Sequence, residues 1–260
     1  MNAQKFIAGL TARGRYCFST EEAIDGFGAS AVATRAALRR LRQKGELAMP
    51  YKGFYVIVPP EFRNIGCLPA SHFIPALMNH LGEKYYAGVL SAAEFSGAAH
   101  QRPQVFQVIT SKNKPRIICG KVRVEFIARK NMEKIPTMDF KTPRGYLKIS
   151  VPAATAFDLV GYSRHAAGLD NVATVLSELA EQLDGVDLGR IAELSPIAWA
   201  QRLGYLLDTV GAQDKTEALA AYIAQKKPVA AALVPSMPRT GSSRVERWRL
   251  LVNAKVEADV

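Results

Sequence analysis

The sequence predicts an α/β protein of the α+β type: an N-terminal winged helix-turn-helix, then a mixed-sheet domain with a helical C-terminal part. Three observations predict it. A capped short helix, a glycine turn and an arginine-rich helix precede a short hairpin pattern. Basic, β-branched segments then dominate from about residue 100 to 150. From Pro152 the pattern turns helical and acidic.

In the first 45 residues three helical signals follow one another. Phe6, Ile7 and Leu10 have core spacing on a helix over 2–12. Ser19 and Glu22, three apart, form a capping-box pattern for a second helix that ends near Gly26. Gly26-Phe27-Gly28 reads as the turn. Ser30 caps a third helix that runs to about Lys44, where Gly45 stops it. Leu47–Met49 and Phe54–Val58 then read as strands joined by Pro50-Tyr51-Lys52-Gly53.

The third helix carries the candidate chemistry. Arg35, Arg39 and Arg42 recur at i, i+4 and i+7 and line one stripe. Thr34, Ala37, Leu38 and Leu41 occupy another face, suited to packing. Ser30, Ala31, Thr34 and Arg35 stand near the helix start, where a recognition helix reaches base edges. Arg39, Arg42 and Lys44 suit phosphates, and Tyr51 and Lys52 mark the hairpin tip. A solvated arginine face is the plain alternative, but the ordered set of elements favours DNA.

Residues 60–70 carry Pro60, Gly66 and Pro69 and read as a linker, dividing a domain over 1–64 from one over 65–260. Helices are expected at Ser71–Leu81 and Leu90–Ala98, with strands at Val105–Thr110, Arg116–Cys119, Lys121–Ala128 and Tyr146–Ile149. The helical part, about 151–226, reads as Ala153–Tyr162, Asp170–Gln182, Leu188–Leu194, Ile197–Val210 and Thr216–Gln225, with Pro196 at a helix start. Trp248–Val252 reads as a last strand that returns to the sheet.

The net charge of +11 is unevenly placed. Residues 30–52 carry six basic groups against Glu46, and 112–148 carry eleven basic against three acidic. Residues 149–225 carry four basic against ten acidic. Clustering of this kind points to a polyanion partner. Lys112, Lys114, Arg116, Lys121 and Arg123 form a possible second DNA-contact patch, with a solvated sheet face as the alternative.

Enzyme signatures are missing from the sequence. His72, His80, His100 and His165 have no metal-ligand spacing with one another or with Cys17, Cys67 and Cys119. The cysteines, about fifty residues apart, fit neither a disulfide framework nor a metal knuckle, and a reducing cytoplasm is expected. No GxxxxGK[ST] or GxSxG motif occurs. Asp139 with Lys141 lacks the upstream acidic partner of a nuclease centre. Asp158 is expected to cap or pair within an amphipathic helix, and Tyr85 and Tyr86 to pack in a core rather than stack on a base. No catalytic residue, metal, cofactor or membrane span is expected.

A family likeness runs through the chain. Lys52-Gly53-Phe54-Tyr55 is similar to the wing of the AbiEi antitoxins of type IV toxin–antitoxin systems. So are Tyr85–Ala93, Gly97–Val108, Thr142-Pro143-Arg144-Gly145, Ser150-Val151-Pro152, Thr155–Leu159, Gly168–Leu176, Gln201–Leu207, Trp248 and Asn253. None of these motifs is catalytic; their order and spacing carry the resemblance. It implies a bacterial, cytoplasmic autorepressor whose winged helix binds inverted repeats in its own promoter cooperatively, as a monomer or weak dimer. It also implies a second domain that counteracts an AbiEii-type nucleotidyltransferase toxin without a stable complex. The competing readings are a stand-alone winged-helix regulator with a small-molecule effector pocket, and a nuclease built on the basic sheet.

Overall fold

The computed structural model describes residues 3–98 and 103–259. The elements are α1 (Ala3–Thr11), β1 (Cys17–Ser19), α2 (Thr20–Phe27), α3 (Ala31–Gln43), β2 (Leu47–Tyr51) and β3 (Phe54–Ile57). Then come α4 (Ala70–His80), β4 (Tyr86–Ala87), α5 (Val89–Phe95), β5 (Phe106–Thr110), β6 (Ile117–Cys119), β7 (Val122–Ala128), β8 (Thr137–Thr142) and β9 (Gly145–Ser150). The helical run is α6 (Pro152–Gly161), α7 (Leu169–Leu179), α8 (Gly185–Glu193), α9 (Ile197–Thr209) and α10 (Glu217–Lys226). Short strands β10 (Ala231–Ala232), β11 (Ser243–Val245) and β12 (Leu250–Val252) close the chain. The fold is the expected winged helix followed by a mixed sheet and helices.

The chain divides into two compact units, and both are discontinuous in sequence. The first runs through Tyr86 and adds Gln104–Lys130 and Asp139–Lys148. The second takes Ala87–Pro103, Asn131–Met138 and Ile149 onward.

In the first unit, Ser19 caps α2 as expected. Its Oγ accepts the Glu22 amide at 3.1 Å, and Glu22 accepts the Ser19 amide at 2.9 Å. The helix runs one residue past its expected end near Gly26, into the expected turn. Gly26 is helical and lies against the Phe6 ring; a Cβ there would sit 2.3 Å from that ring. Phe27 is core, edge-on to Phe6, and the turn begins at Gly28 in the left-handed region.

The wing is a three-stranded antiparallel sheet, order β1-β3-β2. Tyr51 faces Phe54 across the Lys52-Gly53 turn, and Pro50 is accommodated where the β2–β3 register shifts. β1 was not expected; it pairs Cys17, Phe18 and Ser19 with Val56, Tyr55 and Phe54. One face of this sheet covers Phe6, Leu10, Phe27, Leu38 and Leu41. The other face, through Phe54, Val56 and Val58, shares a core with Phe73, Ile74 and Leu77 of α4 and with Val108, Ile117, Val124 and Phe126 of β5–β7. The segment expected to be a linker is part of that core, with Cys67 and Leu68 fully buried. Proline and glycine shape its path here, but apolar side chains hold it in place.

The larger mixed sheet has strand order β6-β7-β5-β4-β9-β8. β5 and β7 are parallel, Phe106 opposite Val124, and β6 is antiparallel to β7, Ile117 opposite Val124.

In the second unit α6 is buried from Ala153 to Val160 and packs against α5, α7, α8 and α9. It is therefore buried all round rather than amphipathic, and Asp158 is fully enclosed. Asp184 caps α8, accepting the amides of Val186 at 2.8 Å and Asp187 at 3.1 Å. The last strand does not join the larger sheet. β12 lies between β10 and β11 in a separate three-stranded sheet. Trp248 precedes it and is fully buried, its indole N–H donating to Asp208 at 2.7 Å.

Candidate nucleic-acid interface

The scaffold under α3 sets which side chains can reach outward. Thr34 and Leu38 are fully buried and Leu41 nearly so, which fixes one face of the helix on the core. Arg35, Arg39 and Arg42 consequently project from the exposed face, with Lys44 at the helix end. Ser30 caps the helix by accepting the Ala33 amide at 3.2 Å and is itself exposed. Thr34 is corrected from the contact set. Its burial leaves it no path to a base edge, so it belongs with the packing residues.

Val32 takes a place that sequence reasoning overlooked. It is 77 % exposed at the start of α3. Val32, Arg35, Arg39 and Arg42 recur at i, i+3, i+7 and i+10, so the stripe already contained it. An exposed branched side chain beside arginines fits the 5-methyl group of thymine.

The wing tip is anchored. The Thr20 amide donates to the Gly53 carbonyl at 2.8 Å and its hydroxyl to the same oxygen at 3.2 Å. Gly53 has φ 79°, which the two-residue turn requires. This holds exposed Lys52 at the tip, while Tyr51 is half-buried against the core shared with α4 and β5–β7.

The second basic set lies in the same unit. On β6 and β7, Ile118 opposes Arg123, and both are exposed. Arg116 stands two residues before Ile118 on that face and pairs with Glu125 at 3.5 Å. Lys121 follows Gly120 at the exposed strand turn, and exposed Lys112 follows β5. Lys114 differs: it pairs with Glu83, and its side chain is only 13 % exposed. It drops out of the patch because a paired, mostly buried ammonium has little charge to offer a phosphate. The Cys119 thiol, at the end of β6, is partly exposed. It accepts the amide of Met49 in β2 and feels the field of Arg42.

Other singled-out residues have structural surroundings. Tyr86 is buried and accepts a hydrogen bond from Arg129 at 3.2 Å. Tyr85 is half-buried, its phenol pushed up to about 12 by burial. Asp139 pairs with Lys148 at 3.2 Å. His72 and His80 both line a first-unit cavity of about 540 Å³ with Arg15, Asn79 and Arg144. His100 lies outside the described residues. Among those described, no cluster of three or more metal-ligating side chains occurs, and no helix is long and apolar enough to cross a membrane.

Comparison with known proteins identifies a family and a similar fold. Residues 6–58 match the family described as transcriptional regulator, AbiEi antitoxin. Residues 86–209 match the AbiEi antitoxin C-terminal domain. No curated protein matches the chain. Among solved structures it is similar in fold to the Rv2827c protein from Mycobacterium tuberculosis, at 19 % identity and TM-score 0.68, covering 96 % of this chain and 90 % of that one. A match to the regulator model followed in order by a match to the C-terminal-domain model places the chain in the AbiEi family of antitoxins and transcriptional regulators.

Proposed function

We propose that this toxin–antitoxin regulator is a cytoplasmic, DNA-binding autorepressor of a type IV system. It binds inverted repeats in its own promoter, as a monomer or weak dimer that loads cooperatively, and counteracts a nucleotidyltransferase-type toxin without forming a stable complex. The observation that carries the DNA reading is the exposed stripe of α3, seated on a buried face and flanked by an anchored wing. Arg35 and Val32 are assigned to base edges. Ser30 stands at the helix start beside them, and Arg39, Arg42, Lys44 and Lys52 are assigned to phosphates, with Tyr51 supporting the wing tip. Lys121, Arg123, Arg116 and Lys112, exposed on and beside β6–β7 of the same unit, extend the footprint. Family membership points to a regulator rather than an enzyme.

The test uses the full chain. Arg39→Ala with Arg42→Ala is co-expressed with the neighbouring toxin gene beside a promoter reporter. Loss of repression with retained rescue from the toxin is the expected result. Repression equal to the parent's would remove α3 from the operator contact.

The stand-alone regulator reading draws on a second-unit cavity of about 560 Å³, lined in part by Tyr162, Arg164, His165, Arg202 and Lys255. Rescue from a co-expressed toxin separates the two, because an effector-sensing regulator gives none.

A further inference from the structure

Cys67 and Cys119 are remote in sequence, yet backbone packing in the first unit brings them together. Gly66 and Gly120 both adopt left-handed conformations, φ 72° and 58°. A Cβ on Gly120 would lie 2.1 Å from the Ile65 carbonyl oxygen and 2.9 Å from the Gly66 Cα. The Lys121 amide donates to that carbonyl at 2.7 Å. The two chain segments thus touch through glycine, with a cysteine next to each contact point. The Cys67 thiol lies within hydrogen-bonding reach of Cys119. All three cysteines are free thiols; Cys67 is buried, whereas Cys119 keeps partial exposure.

The pair is chemically asymmetric. Donation from Cys67, the Met49 amide and the field of Arg42 together hold the Cys119 thiol below its ordinary range, against the opposing effect of burial. The same hydrogen bond, followed by burial, drives Cys67 well above its ordinary range. Thiolate character and access favour Cys119 as the attacking sulfur. Cys17, pushed up to about 12 by burial, stays a thiol.

We propose that Cys67 and Cys119 are a peroxide-oxidised modification site that closes into a disulfide across the Gly66–Gly120 contact. The Cys119 thiolate attacks one oxygen of hydrogen peroxide. The O–O bond breaks, hydroxide leaves and is protonated to water, and Cys119 becomes a sulfenic acid. The Cys67 sulfur then attacks the Cys119 sulfur. The S–O bond breaks, and the departing hydroxide takes the Cys67 proton as a second water. Two thiols are oxidised to one disulfide, and one peroxide is reduced to two waters.

The test treats full-length protein with hydrogen peroxide, caps remaining thiols with iodoacetamide and maps non-reduced peptides by mass. The expected result is loss of two of the three thiols, a linked Cys67–Cys119 peptide pair, an alkylated Cys17, and full reversal by dithiothreitol. Cys17→Ser keeps the linkage, and Cys119→Ser abolishes it. A Cys119 that runs to sulfinic or sulfonic acid while Cys67 remains alkylatable overturns the proposal. So does a linkage that uses Cys17, or three thiols unchanged under peroxide excess. The wild-type map decides the matter even if a variant fails to fold.

Discussion

Replacing Arg39 and Arg42 by alanine together should change how binding responds to salt, not only its strength. The proposed interface gives four exposed cations to phosphates: Arg39, Arg42, Lys44 and Lys52. Each phosphate neutralised on duplex DNA contributes about −0.9 to the slope of log K against log salt, so the parent slope is about −3.6. Between 50 and 200 mM salt, affinity then falls roughly 150-fold. The double variant keeps two such contacts, a slope of about −1.8 and a loss of roughly 12-fold over the same range. Contacts from β6–β7 would steepen both slopes equally, so the difference of about 1.8 is the robust quantity. Fluorescence anisotropy on a labelled promoter fragment, titrated at four salt concentrations, reads it directly. Parallel slopes for parent and variant would refute the placement of α3 against the backbone. A flat parent response would refute the electrostatic interface altogether.

Arg35→Ala should cost about 1–3 kcal/mol on the operator and relax sequence preference; competition with random duplex separates this from a phosphate contact, which loses equally on both. Gly120→Ala combines a left-handed backbone with a 2.1 Å clash against the Ile65 carbonyl. It should cost at least about 1–3 kcal/mol in urea unfolding, and a midpoint equal to the parent's would contradict the close backbone approach. Leu38→Ala empties a fully buried site beneath α3 and should cost about 2–5 kcal/mol, seen as a lower melting midpoint. Glu22 gives a pH signature. Burial pushes its carboxyl up, but the 2.5 Å contact with Arg15 and the Ser19 amide outweigh burial and hold it below its ordinary value. Its contribution is present above the ordinary carboxylate pKa and is lost as pH falls through the depressed one. Glu22→Gln should therefore flatten the acid limb of the stability profile, and an identical limb would argue against the depressed carboxylate paired with Arg15.

Local chemistry made much of the N-terminal unit legible. The Ser19–Glu22 pair, the Ser30 cap and the Gly45 stop are short-range signals, and the helices follow them. What escaped the sequence depends on partners distant along the chain. β1 has three residues and exists because β3 pairs with it. β8, Thr137–Thr142, is largely exposed and alternates only through Met138 and Phe140, too little apolar content to mark a strand. The Pro/Gly-rich segment before α4 looks like a linker by composition, yet Leu68 and Cys67 are core. Of the candidate site, the arginine stripe was readable from helical spacing. The burial of Thr34 was readable too, since it shares a face with Leu38 and Leu41, but proximity to the helix start suggested otherwise. The pairing of Lys114 with Glu83 was not readable, because nothing local relates the two.

The discontinuity of the first unit bears on how the protein can be taken apart. Its wing shares apolar side chains with strands that the chain reaches only after leaving the unit and coming back. No single cut of the polypeptide releases that unit by itself, since Ala87–Pro103 and Asn131–Met138 of the second unit interrupt it. A fragment ending just after the wing would carry Phe54 and Val56 into water on the face that α4 and β5–β7 normally cover. Isolating it intact calls for a rewired chain, in which Gln104–Lys130 and Asp139–Lys148 are spliced to the N-terminal segment. Amide exchange offers the matching view: protected amides of β3, β5 and β7 should open together, as one cooperative block drawn from two separate segments of the chain.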